Sequence, residues 1–185
     1  MCRYAAPGYG LRNCILVSSE SAAIVYIGVG SNTDRVCNVK SGIRALRENF
    51  ASIRYSQIYE SASVGFVGRD FYNFVVEAQT HFSLGEAIAA LKNIELAHGR
   101  LPDEQRFAPK RLDLDLLLYN DVVCESPIPI PRPEITYNAF VLKPLAELAG
   151  ERMHLPTRKT YNELWQQYDK SKQPLSLVDP EGILI

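Results

Sequence analysis

Apolar positions fall in two rhythms along this chain. Residues 24–29, Ile-Val-Tyr-Ile-Gly-Val, form a β-branched run long enough for one buried strand. It stops at Gly30-Ser31-Asn32-Thr33-Asp34, a turn cluster rich in helix-capping residue types. Beyond it Val36, Val39, Ile43, Leu46 and Phe50 recur at helical spacing with charged residues between them, which predicts an amphipathic helix of about four turns. Residues 53–59 and 71–76 read as strands separated by a loop with two glycines. Ser83 and Glu86 make an S-x-x-E capping box ahead of a stripe of Leu84, Ala87, Ile88, Leu91 and Ile94, and Gly99 supplies the stop. Residues 101–109 are a polar loop, 111–119 a strand, and 126–133 a proline-rich connection. Residues 139–148 predict a third helix that Pro144 must kink, or else carry near one end. A short helix over 161–168 and a terminal strand or tail complete the pattern.

The order β-α-β-β-α-β is that of a ferredoxin-like, split βαβ unit. The expected fold class is therefore α+β, a mostly antiparallel sheet covered by helices, with an additional C-terminal helix. Neither a repeat nor a convincing linker divides residues 23–185, so one domain is expected, and residues 1–22 read as a poorly ordered extension. With 185 residues, 46% of them hydrophobic and 22% charged, the chain has the composition of an ordinary globular protein with a core of useful size. Lys and Arg number 20 against 21 Asp and Glu, a balance that argues against a broad nucleic-acid-binding surface. No apolar run approaches the ~18–20 residues that span a bilayer. Cys2, Cys14, Cys37 and Cys124 are scattered without C-x-x-C, and His81, His98 and His154 lie far apart, so neither a disulfide framework nor a zinc site is indicated. The first residues lack the hydrophobic region of a secretion signal, and a cytoplasmic location is expected.

The candidate chemistry sits in Arg111-Leu112-Asp113-Leu114-Asp115-Leu116-Leu117-Leu118. On a strand, alternate residues share a face, so Arg111, Asp113 and Asp115 project one way and the leucines the other. Two neighbouring carboxylates on an apolar strand are costly without a compensating cation. Mg²⁺ resolves the conflict, because it takes hard oxygen ligands from one or two carboxylates plus substrate phosphates. The plainer alternative is a solvated edge with Asp–Arg pairing. Arg100, Arg106, Lys110 and Arg111 flank the pair, a set of cations that suits a polyphosphate whose transfer depends on charge neutralisation and alignment. There is no G-x-x-x-x-G-K-[ST], and Gly28-Val29-Gly30 lacks the third glycine of a dinucleotide fingerprint.

Four blocks in order resemble the 6-hydroxymethyl-7,8-dihydropterin pyrophosphokinase (HPPK) family. They are Ile27-Gly28-Val29-Gly30-Ser31-Asn32; Tyr59-Glu60-Ser61 with Gly65 and Phe71-Tyr72-Asn73; Glu95 through Gly99-Arg100 to Pro109-Lys110-Arg111-Leu112-Asp113-Leu114-Asp115; and Phe140-Val141-Leu142-Lys143-Pro144-Leu145-Ala146-Glu147. The resemblance covers residues 24–150. It implies transfer of a pyrophosphoryl group from ATP to the hydroxymethyl group of a reduced pterin, leaving AMP, with two Mg²⁺ ions on Asp113 and Asp115. It also implies catalytic roles for Arg100 and Lys110 beside the aspartates. Ser61, Ala62, Val64, Phe71, Asn73 and Phe140 match pterin-contacting positions. Nucleotide contacts are implied for Lys92, Glu95, Arg100 and Lys110, and further for Arg111, Leu116 and Arg132. Phe107 stands where a loop tryptophan usually covers the site.

The departures lie on the nucleotide side. Ala108-Pro109-Lys110 replaces the usual Gly-Pro-Arg, which keeps the charge but loses the bidentate fork. Pro131-Arg132 replaces Pro-His, Asn138 stands for an arginine, and Pro102 for a basic residue, so Arg132 is expected to supply the phosphate contact of the missing histidine. The expected partners are small-molecule substrates, with no nucleic acid and no membrane, and a monomer or weak homo-oligomer. Two other readings compete: a paralogue that binds pterin or nucleotide without turnover, and a ferredoxin-like interaction or RNA-binding domain. The Asp pair and the near-neutral charge speak against the latter.

Overall fold

The computed structural model describes residues 21–65, 68–99, 110–179 and 183. The elements run β1 (Ala23–Ser31), α1 (Arg35–Asn49), β2 (Ala51–Tyr55), β3 (Ile58–Ser61), β4 (Phe71–Thr80), α2 (Leu84–Ala97), β5 (Asp113–Tyr119), a 3₁₀ turn (Pro133–Thr136), α3 (Ala139–Ala149), β6 (Met153–His154), β7 (Lys159–Thr160), α4 (Tyr161–Gln167) and β8 (Ser176–Val178). The main sheet has the order β5-β1-β4-β3-β8, with β2 also on β4, and every pairing in it is antiparallel. This is the expected βαββαβ arrangement, extended by α3, α4 and an edge strand.

The sheet is covered on both faces. Val39, Ile43 and Leu46 of α1 and Ala87, Leu91 and Ile94 of α2 bury Val25, Ile27, Val29, Phe74, Val76, Leu114 and Leu116. On the other face Leu142, Leu145 and Ala149 of α3 and Tyr161 of α4 bury Tyr26, Val75, Leu117 and Leu118. Alternation along β1, β4 and β5 thus feeds two apolar layers. The first is continuous under α1 and α2. The second stops where α3 begins, and leaves one end of the sheet uncovered.

Three local details differ from the sequence pattern or sharpen it. The single strand expected over 53–59 is broken into β2 and β3 at Ser56, whose Oγ accepts the Val75 N–H (2.9 Å) while its own N–H donates to Val75 O (3.0 Å). A side chain thereby substitutes for a main-chain carbonyl, and the register shifts from Tyr55↔Val76 to Tyr59↔Asn73. Pro144 lies inside α3, which continues through it, so the Phe140 carbonyl has no i+4 donor. The start of α3 is capped from a distance, because Gln173 Oε1 accepts the Ala139 N–H (2.7 Å) and Gln173 Nε2 donates to Asn138 Oδ1 (3.2 Å).

The capping box of α2 is complete. Ser83 Oγ accepts the Glu86 N–H, and Glu86 Oε2 accepts the Ser83 N–H at 2.8 Å. Gly99 closes the helix at φ 89°, in the left-handed region that glycine enters without a Cβ penalty. Ser83→Ala is expected to cost about 1 kcal/mol, seen as a thermal midpoint about 2–4 °C lower with substrate binding unchanged.

Candidate active site

The uncovered end of the second face is a cleft of about 400 Å³ between the sheet, the start of α3 and the loop after β3. Its floor is β1. Gly28 and Gly30 sit at alternate positions there, flanked by Asp115 and Asp113 of β5 on one side and by Val75 and Asn73 of β4 on the other. A Cβ on Gly30 would lie 3.4 Å from Asn73 Oδ1 and 3.7 Å from both Asp113 Cβ and a Phe71 ring carbon. The absence of that Cβ keeps a continuous groove open from the carboxylates to the amide.

Asp113 and Asp115 reach the cleft together because β5 buries its leucines on the opposite face. Lys110 Nζ donates to Asp113 Oδ1 at 2.6 Å, and Arg132 Nη2 lies 3.3 Å from Asp115 Oδ1 and 3.0 Å from Glu134 Oε1. Arg132 is brought there by its main-chain N–H, which donates to Leu117 O at 3.0 Å and continues the edge of β5. Its Nε, with Glu134 Oε2, is buried without a hydrogen-bond partner among the described residues. The Asp115 carboxyl is pushed up to about 6, first by burial in the cleft and then by the charge of Asp113, against the lowering influence of Arg132 and Lys110. Its side chain still keeps 51% of its exposure, so solvent screens part of these charge effects.

The opposite half of the cleft is mainly apolar around a buried amide. Phe71 and Phe140 wall it, with Ala62 and Val64 from the loop after β3. Asn73 is buried, and its Nδ2 donates to Ser61 Oγ at 3.0 Å, so Oδ1 is turned to the gap over Gly30. A neutral amide held this way offers an acceptor, and its second N–H a donor, to one edge of a heterocycle.

The entry to β5 is fastened by the turn after β1. Asn32 donates its N–H to Lys110 O (3.0 Å) and accepts the Lys110 N–H on Oδ1 (2.7 Å), while Ser31 Oγ donates to Arg111 O (2.6 Å). Both side chains are buried. They fix Lys110 three residues upstream of the first residue of β5, which the chain pattern, reading them as a turn, did not disclose.

Ten of the residues singled out from the sequence line this cleft: Ser61, Ala62, Val64, Phe71, Asn73, Phe140, Lys110, Asp113, Asp115 and Arg132. Others do not. Arg111 precedes the strand in a bend, so the alternation expected from 111 fails there, and its Nη1 packs 3.1 Å from where a Gly99 Cβ would stand. Leu116 is buried in the layer under α1 and α2. Glu95 is turned inward, where its Oε1 accepts the Leu114 N–H at 2.9 Å, and so supports β5 from behind. Lys92 is exposed on α2 and does not line the cleft. Arg100, Arg106 and Phe107 fall outside the described residues, as does nearly all of the 1–22 extension.

The cleft thus brings together an acidic pair on a strand, a cationic rim and an amide between aromatic walls. Residues 26–150 match the family model of 7,8-dihydro-6-hydroxymethylpterin-pyrophosphokinase (HPPK). The chain is 33% identical over 144 residues to the 2-amino-4-hydroxy-6-hydroxymethyldihydropteridine pyrophosphokinase of Aquifex aeolicus, an overlap of 76% of this chain and 89% of that protein. It is 34% identical over 147 residues to the enzyme of the same name from Synechocystis, covering 77% and 75% respectively. The mitochondrial folate synthesis bifunctional protein of Pisum sativum is 32% identical over 173 residues, which are 86% of this chain but 33% of the pea protein. Among solved structures, a crystal structure of HPPK-DHPS with substrates superposes at a TM-score of 0.66 with 12% identity, over 82% of this chain and 44% of that one. Plasmodium falciparum HPPK-DHPS gives 0.61 and 15%, over 84% and 49%. The chain spans under half the length of those two solved chains, and at such identity they show the shared fold. The chain belongs to the HPPK family.

The raised Asp115 pKa has a stability consequence. The folded state keeps this proton to higher pH than the unfolded chain, whose Asp titrates near 3.8, so stability falls as pH rises from about 4 to 6 and the penalty is complete above that. Discounted for solvent screening of a half-exposed group, it is about 1 kcal/mol. Asp115→Asn in the ligand-free protein is expected to melt about 2–4 °C higher at pH 7.5, with the gain vanishing by pH 4. An unchanged midpoint at pH 7.5 would contradict the charge conflict.

Proposed function

We infer that the protein transfers the pyrophosphoryl group of ATP to 6-hydroxymethyl-7,8-dihydropterin in folate synthesis. The observation that carries this reading is the groove over Gly30, which joins an acidic pair at one end to the Asn73–Phe71–Phe140 pocket at the other. In the reaction the pterin hydroxymethyl oxygen bonds to the β-phosphorus, the bond from that phosphorus to the α–β bridging oxygen breaks, AMP leaves, and the hydroxyl proton is lost.

Asp113 and Asp115 suit divalent ions. They are hard oxygen donors on one strand face, and burial first, then the charge of Asp113, shifts the Asp115 carboxyl upward. Mg²⁺ held by such a pair takes its remaining positions from water and phosphate oxygens. Bound there, two Mg²⁺ ions would supply neutralisation of the triphosphate charge. Lys110 and Arg132, now paired with the aspartates, stand within reach of phosphate oxygens, and the buried unpartnered Nε of Arg132 is a donor still to be used. Asn73 orients the pterin edge, and Phe140 and Phe71 exclude water around the ring. Since one chain supplies all of these groups, we also propose that it acts as a monomer or weak homo-oligomer. Among the described residues no helix is long and apolar enough to cross a membrane, and a cytoplasmic location suits its small-molecule substrates.

The test is AMP release that requires Mg²⁺, ATP and the reduced pterin together. Asp115→Ala is expected to lower it about 10²–10³-fold with the fold retained by circular dichroism; full activity would remove the metal assignment. Tight pterin binding with no AMP under saturating substrates would favour the binding paralogue. Gly30→Val, which places two methyls in the groove, is expected to weaken pterin binding by about tenfold or more, the equivalent of ~1.4 kcal/mol, as read by calorimetry.

A further inference from the structure

The β3–β4 hairpin has two sides. Ser61, Phe71 and Asn73 face the cleft, so by alternation Glu60 and Tyr72, which are paired across the two strands, face away from it toward α1. Arg35, the first residue of α1, meets this back side at three points. Its Nη1 pairs with Glu60 Oε1 and donates to Asp70 O at 3.0 Å, and its guanidinium lies over the Tyr72 ring at 3.9 Å. Glu60 stands two residues before Ala62, and Asp70 immediately before Phe71. A single guanidinium therefore ties both feet of the 62–70 loop, the loop that carries Ala62 and Val64 to the cleft. The direction of the tie is set by Asp34, which holds φ 43° and turns the chain so that α1 begins against the hairpin. A second cleft of about 520 Å³ opens beside Arg35, lined among the described residues by Asn32, Asp34, Gly68 and Arg69 together with Glu60 and Asp70, which Arg35 binds.

We propose that Arg35, acting through Glu60, Asp70 and Tyr72, is a positioning residue for the pterin pocket that sets the place of Ala62 and Val64 without touching the substrate. This rests on the reading of the cleft given above. The requirement is for a planar fork: one guanidinium donates to a carboxylate and a carbonyl while stacking on an aromatic ring, a combination an ammonium does not reproduce. Loss of the tie loosens one wall of the pterin pocket and leaves β5, Lys110 and Arg132 where they are.

The experiment measures equilibrium binding of the reduced pterin and of Mg²⁺ with a non-hydrolysable ATP analogue separately, together with kcat at saturating pterin. Arg35→Ala is expected to raise the pterin dissociation constant about 10- to 100-fold, with the nucleotide constant and kcat within about threefold of wild type. Arg35→Lys is expected to restore only part of the affinity. Glu60→Gln is expected to weaken pterin binding in the same selective way, and the double variant less than the product of the two. Unchanged pterin affinity in a folded Arg35→Ala, or equal weakening of both substrates, would overturn the proposal. If Arg35→Ala does not fold, Glu60→Gln decides alone, and its binding the pterin like wild type would overturn it. A wild-type chain that binds no pterin would overturn the functional reading first, and this one with it.

Discussion

Two carboxylates stand side by side in this protein because three leucines hold them there. Residues two apart on a strand are about 6.6 Å apart, where like charges repel by about 2–3 kcal/mol at an effective dielectric of ~20. Leu112, Leu114 and Leu116 are buried in the layer under α1 and α2, each contributing roughly 1.5–3 kcal/mol. Packing on one face of β5 outweighs repulsion on the other. Lys110 and Arg132 offset part of the conflict, while burial and the Asp113 charge together push the Asp115 carboxyl upward. The core thus holds two like charges together at some expense to stability.

The supports of the cleft extend well beyond the groups that line it. Glu95 braces β5 from the far face through the Leu114 N–H, and Ser31 and Asn32 hold the backbone at Lys110 and Arg111. Across the sheet, Glu147 Oε2 accepts the Gln57 N–H at 2.9 Å and its other oxygen accepts the Tyr59 hydroxyl, which ties α3, and with it Phe140, to the edge of the pocket. Each is a polar contact between elements far apart in sequence, and together they make a rigid frame around a groove floored by glycine.

Much of this was legible beforehand, for identifiable reasons. Strand and helix periods gave the βαββαβ order, and the S-x-x-E box located the start of α2 within the structure's own boundary. Alternation placed Asp113 and Asp115 together, since it depends only on β5 being a strand. It failed at Arg111 because the strand starts two residues later. Glu95 and Leu116 look alike in sequence whether they face ligand or core, and only the register of β5 on β1 and the packing of α2 decide between the two. The contacts made by Arg35 and Asn32 were invisible for a different reason. Their partners lie 25 to 78 residues away, and no local period reports such contacts. The meaning of Gly28 and Gly30 likewise appears only once both neighbouring strands are known.

The interruption at Ser56 governs which side chains the pocket receives. From Tyr55 to Tyr59 the chain takes four steps while its partner strand, from Val76 to Asn73, takes three. That odd residue exchanges inside for outside, so Ser61 is presented to the cleft and Glu60 to Arg35. Chain length between β2 and β3 is consequently constrained by parity. Two added residues preserve which face of the hairpin each side chain takes, whereas a single insertion or deletion would deliver a carboxylate into the cleft and a hydroxyl to the guanidinium.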